Sequence, residues 1–259
     1  MIPNASDLEL ACSAAKRGAA VVRERFGQAF KVEEKAGQMG LVTEVDKQAE
    51  EAILTCLKSA SSYGVLAEES GLSAAKSDFM WVVDALDGTN NFARGLPLFA
   101  VSIALVFNGK PILGVIVNPL TGDEYCAVQG GPTLINDAKM RVQAERQHKA
   151  PSILAEYGYA TEHRMRYLRL AQRLVDESDM RSLGSTAMDL CFVAAGRANA
   201  FVCSGDELWD FAAGLVIAQE AGCTVSDWRG QPWDGSNDFL LVSHPQWHAW
   251  IVDSIADLQ

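Results

Sequence analysis

Trp81-Val82-Val83-Asp84-Ala85-Leu86-Asp87-Gly88-Thr89-Asn90-Asn91-Phe92 is the stretch from which the rest of the chain can be read. Trp81 to Val83 form a short apolar run that stops at a carboxylate. This is the pattern of a buried strand delivering an acid at its C-terminal end. A second carboxylate follows three residues later, just ahead of Gly88-Thr89.

Working outward, Asp7 to Phe26 reads as an amphipathic helix. Leu8, Ala11, Cys12, Ala15, Ala19 and Val22 recur at helical spacing, Ser6 or Asp7 can cap its start, and Gly27 can end it. Asp46 to Leu57 is a second helix. Downstream of the central stretch, Ala100 to Phe107 and Pro111 to Val117 are β-rich runs joined through Asn108-Gly109, a dipeptide suited to a tight hairpin. Glu124 to Val128 adds a strand. The second half reads as strand Pro151 to Tyr157, helix His163 to Ser178, helix Ser185 to Ala195, strand Ala198 to Cys203, helix Asp210 to Ala221 and strand Phe239 to Ser243. No repeat or low-complexity stretch is visible. The least regular connection lies around residues 129–150, which divides an α+β half, 1–135, from an α/β half, 136–259, within one compact unit.

Composition limits the partners. At 259 residues the chain can bury a substantial core, and a formal net charge of −11 argues against broad nucleic-acid or anionic-membrane binding. No apolar run approaches the roughly 20 residues that span a bilayer, and the N-terminus lacks the basic-then-apolar pattern of a signal peptide. The expected location is the cytoplasm. Cys12, Cys56, Cys126, Cys191, Cys203 and Cys223 never form a CxxC pair, so reduced core thiols are the expected state.

Glu68, Asp84, Asp87 and Asp210 each sit where an element begins or ends. Carboxylates gathered in one place repel one another and need cations, and hard oxygen donors select Mg²⁺, Mn²⁺ or Ca²⁺. Two other acidic motifs fail on spacing. A haloacid-dehalogenase D-x-D-x-T needs one residue fewer between its acids, and an EF-hand loop needs alternating ligands closed by a Glu.

The central stretch resembles the first signature of the inositol monophosphatase family, and Trp209-Asp210-Phe211-Ala212-Ala213-Gly214, continuing through Gln219-Glu220-Ala221-Gly222, resembles its second. Leu41-Val42-Thr43-Glu44-Val45-Asp46, Glu68-Glu69-Ser70 and Gly184-Ser185-Thr186-Ala187-Met188-Asp189-Leu190-Cys191 agree in the same order. Together these pieces cover nearly the whole chain and outweigh the bland readings, a polar turn at Asp84/Asp87 and helix caps at Asp46 and Asp210. The resemblance implies a layered αβαβα sandwich and a Mg²⁺-dependent phosphatase. Its substrate would be a small phosphorylated metabolite, inositol phosphate or a similar polyol or sugar phosphate. The relatives are commonly homodimers and lithium-sensitive.

Carried over residue by residue, the family pattern makes Glu68, Asp84 and the Leu86 carbonyl ligands of one metal, and Asp84, Asp87 and Asp210 ligands of a second. Glu68 would help a third through water, giving two to three Mg²⁺, with Mn²⁺ possible. Asp46 and Thr89 would pair beside the attacking water, with Glu68 a further proton acceptor, and Lys35 would add positive charge nearby. Asp87, Gly88, Thr89, Gly184, Ser185, Thr186, Cys203 and Asp210 would face the substrate. The chain departs from the pattern at Cys203, where inositol-specific members carry a Glu that contacts sugar hydroxyls. A thiol cannot replace a carboxylate there, which leaves Asp206 or Glu207 as substitutes. A nucleotide 3′- or 2′-phosphatase and a fructose-bisphosphatase are the alternatives within the class. A regulatory role through protein or RNA contacts, known among relatives, is the alternative outside it. His148, His163, His244 and His248 are expected to sit apart from the acidic motifs, and Trp228, Trp233, Trp247 and Trp250 to be packing residues.

Overall fold

A computed structural model describes residues 5–34, 40–140, 150–233, 235 and 237–259. Lys35 and His148 lie outside the described residues. In chain order the elements are α1 (Ala5–Arg25), β1 (Val32–Glu34), β2 (Leu41–Thr43), α2 (Glu44–Ala60), β3 (Gly64–Ala67), β4 (Gly71–Ser73), β5 (Phe79–Asp87) and α3 (Thr89–Ala93). There follow β6 (Ala100–Phe107), β7 (Lys110–Val117), β8 (Glu124–Val128), β9 (Thr133–Ile135) and β10 (Ala138–Met140). The remainder comprises β11 (Ser152–Ala155), α4 (Thr161–Leu174), β12 (Asp179–Arg181), α5 (Thr186–Ala194), β13 (Ala200–Ser204), α6 (Leu208–Ala221), β14 (Thr224–Ser226), β15 (Phe239–Ser243) and α7 (Pro245–Ile255).

The strands form an eight-stranded sheet in the order β10-β9-β8-β7-β6-β5-β3-β4, a five-stranded sheet in the order β12-β11-β13-β15-β14, and the small β1-β2 pair. Period-two alternation sorts side chains between layers. On β5, Trp81 and Val83 pack with α1 and α2, while Val82 faces α5 and α6. The other side of the α5–α6 layer meets Phe201, Cys203, Leu240 and Val242 of the second sheet. That sheet's far face, with Ile153, Ala200, Val202 and Leu241, packs against α4 and α7. The result is the five-layer αβαβα sandwich that the resemblance implies.

The Asn108-Gly109 hairpin forms as read, with both residues at positive φ. A second hairpin turns at Asn136 and Asp137, and β10 beyond it still belongs to the first sheet. The division at 135/136 therefore falls inside this hairpin. Elements absent from the sequence reading are mainly strands of three or four residues, which are too short to show a period. Trp228 is 1% exposed, and Trp233, Trp247 and Trp250 pack against core clusters, as expected.

One contact fixes how the layers meet. A Cβ on Gly114 of β7 would come within 2.2 Å of the Ala213 carbonyl oxygen of α6. Only glycine lets the helix backbone rest directly on the sheet there. This close approach sets the height of α6, which carries Asp210.

Candidate metal and active site

Asp84 and Asp87 are three residues apart on β5, so a regular strand would aim them at opposite faces. The pairing shows how they converge: Asp84 pairs with Ser102 and Asp87 with Ala100, so β5 takes three steps where β6 takes two. This is a bulge, which inserts a residue and re-aims the side chain beyond it. Asp210 arrives from across the layer at the third residue of α6, where its Oδ2 accepts from the Glu207 N–H at 2.7 Å. It is thus part of the helix-start hydrogen bonding without being the N-cap. Ligand oxygens of Asp84, Asp87 and Asp210 all lie within 4.8 Å of one another.

The electrostatics of this trio are unfavourable without a cation. Burial raises the Asp84 carboxyl well above the usual range, and the charges of Glu68, Asp87 and Asp210 raise it further. Asp210 is raised well above that range by burial, then by Asp206, Glu68 and Asp87. Asp87 is pushed up to about 7 by burial, against hydrogen bonds from Ser185 Oγ and the Ala187 N–H that hold it down. Glu68 follows β3, its N–H bonded to the Val83 carbonyl at 3.1 Å, so it borders the trio whose acidity it affects. An all-oxygen, mutually repelling donor set fits a hard divalent cation such as Mg²⁺ or Mn²⁺.

Beside the trio, Asp46 serves two purposes. Its Oδ2 accepts from the Thr43 N–H at 2.8 Å, closing a capping box at the start of α2. Its Oδ1 accepts from Thr89 Oγ1 at 2.9 Å, and the same hydroxyl lies 2.9 Å from the Leu86 carbonyl. Burial pushes Asp46 up to about 6, opposed by the Thr43 and Thr89 hydrogen bonds. Gly88 joins β5 to α3 at φ 88°, where a Cβ would meet the Gly184 and Leu98 carbonyl oxygens at 3.1 Å.

Gly184, Ser185 and Thr186 stand on the α5 side. Ser185 caps α5 and donates to Asp87 Oδ2, and Thr186 Oγ1 donates to Asp206 Oδ2 at 2.8 Å. Asn91 bridges the halves by donating to the Leu98 carbonyl at 2.8 Å and the Leu183 carbonyl at 2.7 Å. Cys203 is 2% exposed within the α5–α6 core, and burial raises its thiol well above the ordinary value. Its hydrogen-bonding neighbour is Asp206.

Two nearby residues escaped the sequence reading. Glu156 follows β11, and its Oε1 accepts from the N–H groups of Leu183 (2.9 Å) and Gly184 (2.7 Å), clamping the loop that leads to Ser185. An acid at the end of a strand is the same signal that picked out Asp84, and it was available in Pro151 to Tyr157. His163 was expected to sit apart, but its ring packs on Gly205 with Nδ1 3.4 Å from Ser204 Oγ, on the loop carrying Asp206. The contact joins residues 41 positions apart, which the sequence pattern cannot show.

A layered αβαβα fold with converging carboxylates at a strand end and a helix start defines a class of metal-binding phosphatase-type proteins. The chain belongs to the inositol monophosphatase family, whose pattern it matches over residues 4–259. It is 40% identical over 207 residues to an inositol-1-monophosphatase of Mesorhizobium japonicum, covering 77% of this chain and 74% of that one. It is 39% identical over 193 residues to a protein of Pasteurella multocida named Nus factor SuhB, covering 73% and 72%. Among solved structures, the extragenic suppressor protein SuhB of Bartonella henselae superposes with a TM-score of 0.90 at 30% identity, covering 97% of this chain and 98% of that one. A Thermotoga maritima IMPase superposes at 0.87 with 28% identity, covering 98% of each. Among the described residues no helix is long and apolar enough to cross a membrane.

Proposed function

We propose that the chain is a Mg²⁺-dependent phosphomonoesterase acting on a small polyol or sugar phosphate such as inositol monophosphate. The observation that carries this reading is the convergence of Asp84, Asp87 and Asp210 oxygens within 4.8 Å. Glu68, Asp84 and the Leu86 carbonyl would hold one cation, Asp84, Asp87 and Asp210 a second, and Glu68 through water a third; Mn²⁺ can replace Mg²⁺. When bound, Mg²⁺ supplies positive charge against the phosphate and makes water more acidic.

The chain's own groups supply the rest. Thr89 Oγ1 orients the attacking water, accepting its proton while passing its own to Asp46. Burial favours the protonated form of Asp46, which makes it a ready acceptor for that proton. Glu68 offers a second acceptor, and the N–H groups of Gly88 and Thr89 donate to the phosphate oxygens. The P–O bond to the alcohol breaks as the water oxygen bonds to phosphorus, and the leaving oxygen takes up a proton. Gly184, Ser185 and Thr186 border the leaving group. With Cys203 buried, Asp206 is the acidic acceptor for substrate hydroxyls, presented by Thr186.

Phosphate release from inositol, sugar and nucleotide phosphates, measured with Mg²⁺ or EDTA in wild type and Asp87→Asn, tests the reading. Mg²⁺-dependent turnover lost in the variant is expected, and the preferred compound identifies the substrate among polyol, nucleotide and fructose-bisphosphate candidates. No release from any compound by folded, Mg²⁺-binding protein would overturn it. Family membership also supports a homodimer and inhibition by lithium. A second reading, regulatory contact with protein or RNA, rests on the relatives named Nus factor SuhB. The net charge of −11 weighs against RNA as the partner. A cellular phenotype that survives Asp87→Asn would favour it.

A further inference from the structure

A second group of ligand-type side chains lies on the outer side of the eight-stranded sheet, away from the α5–α6 layer. Glu124 and Cys126 are two residues apart on β8 and therefore face the same way, while Tyr125 between them packs into the α5–α6 layer. Cys12 meets them from α1. The sulfurs of Cys12 and Cys126 and a carboxylate oxygen of Glu124 all lie within 4.8 Å of one another. Lys16, one turn beyond Cys12, places Nζ 3.0 Å from Glu124 Oε2; its side chain is 63% exposed against 12% for Glu124. A shallow groove lined by Glu9, Cys12, Ser13, Lys16, Arg17 and Ala20 leads from solvent to Cys12.

We infer that Cys12, Cys126 and Glu124 form a binding site for a thiophilic divalent cation of the Zn²⁺ class, with Lys16 swinging away from Glu124 to admit it. Two sulfurs and one carboxylate oxygen exclude Mg²⁺, which takes oxygen ligands, and suit Zn²⁺. Zinc bonds sulfur at about 2.3 Å in tetrahedral geometry, which puts two sulfur ligands roughly 3.8 Å apart. From separations of at most 4.8 Å, the two sulfurs need to close by no more than about 1 Å and each sulfur–oxygen pair by no more than about 1.3 Å, within the reach of side-chain rotations.

The charges balance. Each thiol releases a proton to solvent as its sulfur bonds the metal, and the carboxylate gives a third bond, leaving a fourth position for water. Two thiolates, one carboxylate and a divalent cation sum to one negative charge, which the nearby Lys16 ammonium offsets. Hydrogen bonding to the Cys12 thiol holds Cys126 below the ordinary thiol value, so Cys126 is the readier of the two to ionise. Occupation would clamp α1 to β8.

The test is a Cd²⁺ titration of the full-length, reduced protein in saturating Mg²⁺, following the sulfur-to-cadmium charge-transfer absorption and the protons released. Carboxylates cannot produce that band, so the acidic trio is silent in it. Wild type is expected to saturate at one equivalent with two protons released. Cys12→Ser and Cys126→Ser should each lose about half of the band, one of its two Cd–S bonds, and weaken Zn²⁺ binding by at least ~100-fold, beyond the loss of an outer partner. Glu124→Gln should keep the band with weaker affinity, and Asp87→Asn should keep it unchanged. Cys12 is partly exposed, so its Ser variant keeps the test valid if Cys126→Ser fails to fold. Absence of the band in wild type, its persistence at full height and affinity in Cys12→Ser, or its loss in Asp87→Asn would each overturn the proposal.

Discussion

Thr89 Oγ1 and Asp46 Oδ1 lie 2.9 Å apart although 43 residues separate them in the chain. Asp46 also closes the cap of α2 through its other oxygen. The pair therefore links the rigidity of a helix start to the position of one hydroxyl.

Substituting the two partners should separate these roles. Thr89→Val keeps the shape and removes the hydroxyl, so phosphate release should fall by about 100-fold or more, the usual contribution of positioned proton transfer. Thermal stability should stay close to wild type. Asp46→Ala should lose activity similarly and also lose about 1 kcal/mol of stability with the cap. Kinetics and thermal melts on both proteins check this.

Asp87→Asn should have opposite effects with and without metal. In EDTA, removing a buried acid that burial and neighbouring charge destabilise should leave the melting temperature equal to wild type or higher. The rise in melting temperature on adding Mg²⁺ should shrink, because the cation shared by Asp84, Asp87 and Asp210 loses a ligand. A marked loss of stability in EDTA would mean that the Ser185 and Ala187 hydrogen bonds to Asp87 outweigh the repulsion.

The pH dependence follows the raised carboxyls. Asp87 is at about 7 and Asp46 at about 6, each against 3.8 when unconstrained. The folded, metal-free protein therefore holds more protons than the unfolded chain between these limits. Stability from these groups is full below about pH 4 and is lost as pH rises through 6 to 7. Melts in EDTA should fall between about pH 4 and pH 7, and the stabilisation given by Mg²⁺ should grow over the same range.

Glu156→Ala should act on the substrate side. It leaves the Leu183 and Gly184 N–H groups without their acceptor, at about 1–3 kcal/mol for each group kept from water. Ser185 would lose its fixed approach to Asp87, and a higher KM is expected with a smaller change in kcat. Hydrogen exchange at Leu183 and Gly184 should speed up locally. Glu156→Gln, which keeps one acceptor oxygen, should recover part of the loss.

What could be read in the sequence follows from how far its signals extend along the chain. Asp84 and Asp87 were recognisable because an apolar run, two acids and a Gly-Thr turn are contiguous. The bulge that makes the two acids converge was not, since it depends on pairing with Ser102 and Ala100. Asp210 was found as an acid at a helix start, but the helix begins at Leu208 because Glu207 and Asp210 share the capping hydrogen bonds. The start of α7 was hidden by Pro245, which reads as a breaker yet is well tolerated at the first position of a helix. Cys203 was legible as a core thiol, but which layer it packs against depends on tertiary packing, which no local pattern reports.

The bare backbone contact of Gly114 with Ala213 places α6 against the first sheet with no intervening side chain. Two members of the acidic trio belong to that sheet and the third to the helix, so the trio can hold a cation only while the layers stay docked. A cation bound there acts as a latch between them. Metal affinity then becomes a gauge of docking, and Gly114→Ala, some distance from any ligand, should lower it by moving Asp210 before any secondary structure is lost.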